Sequence, residues 1–182
     1  MKVNLFFNHY QDESVQRQFE IDACLKKNRE IFDNVILVPG RPTFAELFEL
    51  TKDYPDDINC FCNSDIYFTD ISMMPVLMED ECWALTRWEA KEGMYKFHSR
   101  LDSQDSWVFK GVVKPVKADF RQGLWGTDNR LAYELKKAGY IIKNPSLTIK
   151  TIHLHAIDKR NHKRTEENTI PPPYLTLEPT YL

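Results

Sequence analysis

A chain of 182 residues, 42% hydrophobic and 28% charged, is long enough to bury a real core and reads as a single domain. A formal net charge of -3 excludes the basic balance of a dedicated nucleic-acid binder, and no apolar run reaches the length of a membrane span. Leu5-Phe6-Phe7 is too short for a signal-peptide core, so the expectation is a cytoplasmic protein, with Cys24, Cys60, Cys62 and Cys82 reduced.

Residues 2–8 predict a first strand, apolar enough at its centre to be buried on both faces. A helix is predicted over 14–27, capped by Ser14, with Val15, Phe19 and Ala23 as its apolar face at i, i+4, i+8 spacing. Residues 34–38 form a second strand, ended by Pro39-Gly40. Thr43 and Glu46 make a capping box for a helix whose apolar side is Phe44, Leu47, Phe48 and Leu50. In the third strand, 58–62, Cys60 and Cys62 face one side as small core residues. This β-α-β-α-β order predicts a parallel sheet with crossover helices.

The second half is less regular. Strands are predicted over 82–88 and 107–109, with a loop over 94–104 between them and a glycine loop over 120–126 after them. A helix follows over 128–138, stopped at Gly139, and then strands over 140–142 and 147–154. The basic run Lys159, Arg160, His162, Lys163, Arg164 reads as a solvated loop. The polar tail with Pro171-Pro172-Pro173 reads as extended, packed on the surface or partly disordered. The fold class is therefore α/β: one Rossmann-like domain over 1–160, its mostly parallel central sheet flanked by helices, then a tail over 161–182.

Four clusters carry chemistry. Asn63-Ser64-Asp65 sits at the C-terminal end of the third strand, the edge where open α/β sheets bind ligands. A carboxylate there suits a divalent cation carrying a diphosphate, since magnesium and manganese take one or two carboxylates plus substrate phosphates. The same three residues also make ordinary turns. Asp105 precedes a strand beside Trp107, a pairing that can stack on a sugar and bind its hydroxyls, or can be a loop acid next to a core indole. Asp128 or Thr127 can cap the helix that follows the glycine loop. Asp128 there is also a candidate general base, weakened by the helix dipole unless burial or a nearby acid offsets it. His153 and His155 point the same way in a strand, either half-exposed or turned toward a metal at Asp65.

The order of these clusters resembles that of nucleotide-sugar-dependent glycosyltransferases of the GT-A fold, and more closely small glycosyltransferase domains of bacteria and large algal viruses. The matching segments are NSDIYF at 63–68, LTRWE at 85–89, SQDSWVFK at 103–110, GTDNRLAYEL at 126–135 and GYIIKNPSLTIKTIHLH at 139–155, within a resemblance spanning 2–160. It implies a hexosyltransferase-like enzyme that moves a sugar from a UDP- or GDP-sugar to a glycan or other hydroxyl acceptor. It also implies a Mn2+ or Mg2+ ion held by Asp65 with His153 or His155. Asp65 becomes the last acid of the family's D-x-D motif; Asn63 stands where many members carry the first. Asp128, with Asp105 as its rival, becomes the base of an inverting transfer. Asn8 and Tyr10 lie near the nucleoside, and Arg17, Asn63, Ser64 and Arg87 near the nucleotide and its diphosphate. Two alternatives remain: a non-catalytic nucleotide- or sugar-binding domain of the same fold, and a metal-dependent phosphoesterase or nucleotidyltransferase. The last needs a second carboxylate near Asp65, for which Asp70 is the nearby candidate.

Overall fold

A computed structural model describes residues 1–91, 93–154 and 165–182. β1 (Val3–Asn8) is buried along its whole length because it is an inner strand, paired in parallel with β2 (Asn34–Val38) on one side and β3 (Ile58–Cys62) on the other. Between β1 and β2 runs α1 (Val15–Arg29), started by Ser14, whose hydroxyl accepts the Arg17 N–H. Between β2 and β3 runs α2 (Phe44–Glu49), where both halves of the Thr43–Glu46 capping box are made.

The predicted face of α1 is wrong. Val15 and Phe19 are 86% and 70% exposed, and the helix buries Glu20, Ile21, Cys24, Leu25 and Asn28 instead. Two of those are polar, which hid the face from a hydrophobic count. Glu20 pairs with Arg17, and Asn28 exchanges hydrogen bonds with the backbone of β4 (Ile66–Phe68), donating to Ile66 O at 3.0 Å and accepting from Phe68 N at 3.0 Å.

Past β4 the sequence reading fails in three places. The strand predicted over 82–88 is two strands, β5 (Glu81–Leu85) and β6 (Trp88–Lys91), in different sheets. The predicted loop over 94–104 contains β7 (Met94–Phe97), the hairpin partner of β6. After β8 (Ser106–Lys110), α3 (Thr127–Lys137) and β9 (Ile141–Lys143), the strand predicted over 147–154 shortens to β10 (Thr151–His153).

The protein is thus α/β with two mixed sheets and, among the described residues, three α-helices. The larger sheet has the order β2-β1-β3-β8-β5-β9, in which β8 alone runs against its neighbours. The smaller has the order β4-β10-β6-β7. Alternation along the larger sheet splits the core in two. Leu5, Phe7, Cys60, Cys62, Trp83 and Val108 pack on the α1 side. Phe6, Phe61, Trp107 and Phe109 pack with α2 and α3 on the other, in a cluster of edge-to-face rings around Phe44 and Phe48. Among the described residues, no helix is long and apolar enough to cross a membrane.

Candidate functional site

β1, β3 and β5 run parallel, so Asn8, Asn63–Asp65 and Thr86–Arg87 emerge on one edge of the larger sheet. The reversed strand β8 starts at that edge, with Ser106 opposite both Cys62 and Leu85, which brings Asp105 to the same place. The smaller sheet completes the gathering. β10 lies between β4 and β6, so His153 sits across from Ile66 and beside Glu89, one residue from Asp65. Backbone pairing alone therefore assembles residues that are 88 positions apart in the chain.

The side chains form a continuous line of alternating charge. Arg17 bonds Glu20 at 3.1 Å and Asp65 Oδ2 at 2.7 Å. Asp65 Oδ2 also meets His153 Nε2 at 3.0 Å, and His153 Nδ1 meets Glu89 Oε2 at 2.7 Å. Arg87 then joins Glu89, through Nε at 2.7 Å, to Asp105 Oδ1, through Nη1 at 2.9 Å. Asn63 donates to the same Asp105 oxygen at 3.1 Å.

Burial alone would neutralise these groups, and their partners prevent it. Burial favours the acid form of Asp65, but the hydrogen bond and charge of His153 and then the charge of Arg17 hold its carboxyl well below the usual carboxylate range. Burial lowers His153, but its bonds to Asp65 and Glu89 raise it to about 9, so it is an imidazolium at neutral pH. Glu89, lifted by burial, is pulled down to about 2 by His153 and Arg87. For Arg17, burial is outweighed by Asp65 and then by Tyr10.

Asp128 ends this line and behaves differently. α3 starts at Gly126, whose φ of 76° is the left-handed conformation that glycine favours, and no side chain caps it. Neither Thr127 nor Asp128 is the cap: the Thr127 hydroxyl donates to Arg121 O, and Asp128 lies in the first helical turn. Burial, and next the negative charge of Asp105, lift the Asp128 carboxyl well above the usual range, against a backbone hydrogen bond from Gln104 and the charge of Arg87. The offset that a base at a helix N-terminus needs is present. Asp105 is 5% exposed, and its Oδ2 has no partner among the described residues.

The other expected residues divide. Asn8 and Ser64 act as ties: Asn8 donates to Val38 O and Gly40 O, and the Ser64 hydroxyl donates to Asn8 O at 2.6 Å. Tyr10 lies beside Arg17, with the Arg41 guanidinium 5.6 Å from its ring centre. Trp107 is 1% exposed and packed on Phe44, so it is a core residue with no face to offer a sugar. Asp70 is exposed and engaged with Ser72, away from Asp65. His155 and the basic run from Lys159 to Arg164 lie outside the described residues.

The described residues, which leave out His155, surround Asp65 with cations. Among the described residues, no three His, Cys, Asp or Glu side chains gather as metal ligands. Both ring nitrogens of His153 face carboxylates, and a doubly protonated imidazole has no lone pair to give. The positive charge beside Asp65 comes from Arg17 and His153.

Sequence reasoning missed Glu89 and Glu20. Glu89 had a visible signal: Arg-x-Glu at 87–89 puts two opposite charges on one side of extended chain next to a predicted strand end. Glu20 had none before the α1 face was known. Comparison with known proteins adds no relative: no family model matches the chain, and no curated protein matches it.

Proposed function

We propose that the chain transfers a sugar from a nucleoside-diphosphate sugar to a hydroxyl acceptor, on a GT-A-like fold whose working edge is the strand-end edge of the larger sheet. The observation that carries this reading is the place of Asp128: a carboxylate in the first turn of α3, near Asp105 and Arg87, pushed above its usual range by burial and by the charge of Asp105. A base works best when its pKa approaches the working pH. Asp128 takes the proton of the acceptor hydroxyl as its oxygen attacks the anomeric carbon. The bond from that carbon to the diphosphate breaks, and the nucleoside diphosphate leaves with the electron pair. Attack opposite the leaving group inverts the sugar. Arg17 and Arg87 meet the charge that develops on the diphosphate; a guanidinium carries five N–H donors, more than the pairs described use. The nucleoside is assigned to the hollow between Pro39, Arg41, Pro42, Leu50 and Arg121, which reaches Arg17 through Tyr10.

A second reading, a nucleotide- or sugar-binding domain without turnover, is favoured by the two protein cations on Asp65 Oδ2 and by Asn63 in place of a second acid. A phosphoesterase or nucleotidyltransferase is disfavoured, because Asp70 is away from Asp65. The test is a thermal-shift screen of nucleoside diphosphates and their sugars, with and without manganese, followed by an assay of nucleoside diphosphate release. Stabilisation by one donor without metal, and release that depends on acceptor and on Asp128, supports transfer. Stabilisation without release supports the binding domain. Stabilisation that requires manganese overturns the assignment of Arg17 and His153 as the cations of the site.

A further inference from the structure

The C-terminal segment 165–182 contains no helix or strand, yet it is tied to the parts of the molecule that carry the two aspartates. One set of ties reaches the start of α3. Trp125 exchanges backbone hydrogen bonds with Asn168 O at 3.0 Å and Ile170 N at 2.7 Å. Leu175 N donates to Asn129 O at 3.0 Å, and Arg130 Nη1 donates to Pro171 O at 3.0 Å and Pro172 O at 3.1 Å. The segment runs so close to Gly126 that a Cβ there would stand 2.8 Å from both Ile170 O and the Tyr174 hydroxyl. Other ties reach neighbouring loops, among them Leu177 N to Leu101 O at 2.9 Å, four residues before Asp105, and Thr180 N to Asn144 O at 2.7 Å. Asn144 in turn bonds Thr86, the residue before Arg87.

α3 lacks a side-chain cap, so its first turn would fray if left to itself. The segment ties down the start of α3 from outside the helix, through Trp125, Asn129 and Arg130. We propose that residues 165–182 form a strap that sets Asp128 against Asp105, with Arg130, Tyr174 and Leu177 as positioning residues. Arg130 clips the strap to α3, the Tyr174 hydroxyl donates to Ile170 O over Gly126, and Leu177, 9% exposed, anchors the strap in the core on the α3 side. None of the three needs to touch substrate. The role rests on the transfer reading above, and it is kinetic: a misplaced base slows the chemical step and leaves donor binding alone.

The test uses the full chain. In Tyr174→Ala/Leu177→Ala the strap loses its anchors; kcat falls about 100-fold while the donor KM stays within about twofold, and the conservative Leu177→Met with Tyr174 intact retains kcat. Unchanged kcat in a variant whose strap is cleaved faster by protease overturns the proposal, as does a KM that rises as much as kcat falls. If that variant does not fold, Arg130→Met is measured in the same way. If the wild-type chain transfers nothing, the transfer reading fails, and the strap is judged by carboxyl 13C shifts in the same variants. A moved Asp128 signal with Asp65 unmoved upholds it; an unmoved Asp128 signal overturns it.

Discussion

Two polar clusters sit at opposite ends of the larger sheet, and they are built on opposite rules. At the end where β1 and β3 begin, Asn34, Asn4 and Asn59 stand in register across three parallel strands. Asn34 donates to Asn4 at 2.7 Å, Asn4 to Asn59 at 3.1 Å, and Asn59 to the backbone of Tyr54 and Gly111. The row is neutral, Asn4 and Asn59 are fully buried, and each of its members is hydrogen-bonded. At the other end the line from Glu20 to Asp105 is charged throughout. It terminates in a buried carboxylate oxygen without a partner and an acid, Asp128, lifted far from its ordinary range. A satisfied neutral network specifies register, because a slipped strand would strand its amides. A charged network that ends in an orphan is a candidate for chemistry.

The sharpest way to break that contrast is Asp128→Asn. Turnover should fall about 10²- to 10⁴-fold, the loss expected for a general base, while stabilisation by the donor persists. Stability should hold or rise, because the variant removes a carboxyl whose charged form is disfavoured by burial and then by Asp105. The acid limb of the wild-type kcat profile should lie well above the ordinary carboxylate range; a limb near pH 4 would remove Asp128 from the role of base. Next in size is Asp65→Asn, which leaves Arg17 and His153 facing a neutral amide. Breaking a buried pair in this way costs about 3–5 kcal/mol, read by urea denaturation.

A pH scan tests the same link from the other partner, with a smaller effect because Arg17 stays paired. The folded state raises His153 from 6.5 to about 9, so its contribution is complete below pH 6.5 and fades as pH climbs through 9. Glu89 is lowered from 4.5 to about 2, so its contribution is complete above pH 4.5 and is lost as pH falls through 2. The charged line is therefore strongest between those limits, and His153→Gln should flatten the alkaline side of the wild-type stability curve. An alkaline side unchanged in the variant would break the link.

The first half of the chain was legible because its signals are local. Capping chemistry, strand periodicity and turn residues gave β1, β2, β3 and α2 almost to the residue. The face of α1 was not legible, since Asn28 earns its burial from the backbone of β4, 38 positions away. The smaller sheet was illegible for the same reason: β6 is four residues long and only partly buried, β7 is largely exposed, and both are strands because they pair. The site followed this division. Asp65, Asp105 and Asp128 stood out as strand-end or helix-start charges, while Arg17 and Arg87 came from the resemblance alone. That Arg17 and His153 converge on one oxygen of Asp65 depends on a sheet that no local pattern announced.

The smallest effect belongs to the other end of the sheet, and it gives the cleanest control. Asn4→Leu keeps the size and the burial of the side chain but leaves the amides of Asn34 and Asn59 each short of a partner. Each buried group so stranded costs about 1–3 kcal/mol, with Asn34 at the low end because it is only partly buried. Urea denaturation should show that loss, and turnover per folded molecule should not change, since the row stands at the end of β1 away from Asn8. Replacing Asn4, Asn34 and Asn59 together with apolar residues should recover part of the stability while loosening the register of β1 against its neighbours, read as faster amide exchange at Phe6 and Phe61. Turnover that fell with Asn4→Leu at constant folded fraction would mean that the two ends of the sheet are coupled, and that the asparagine row helps to aim the strand ends rather than only to align the strands.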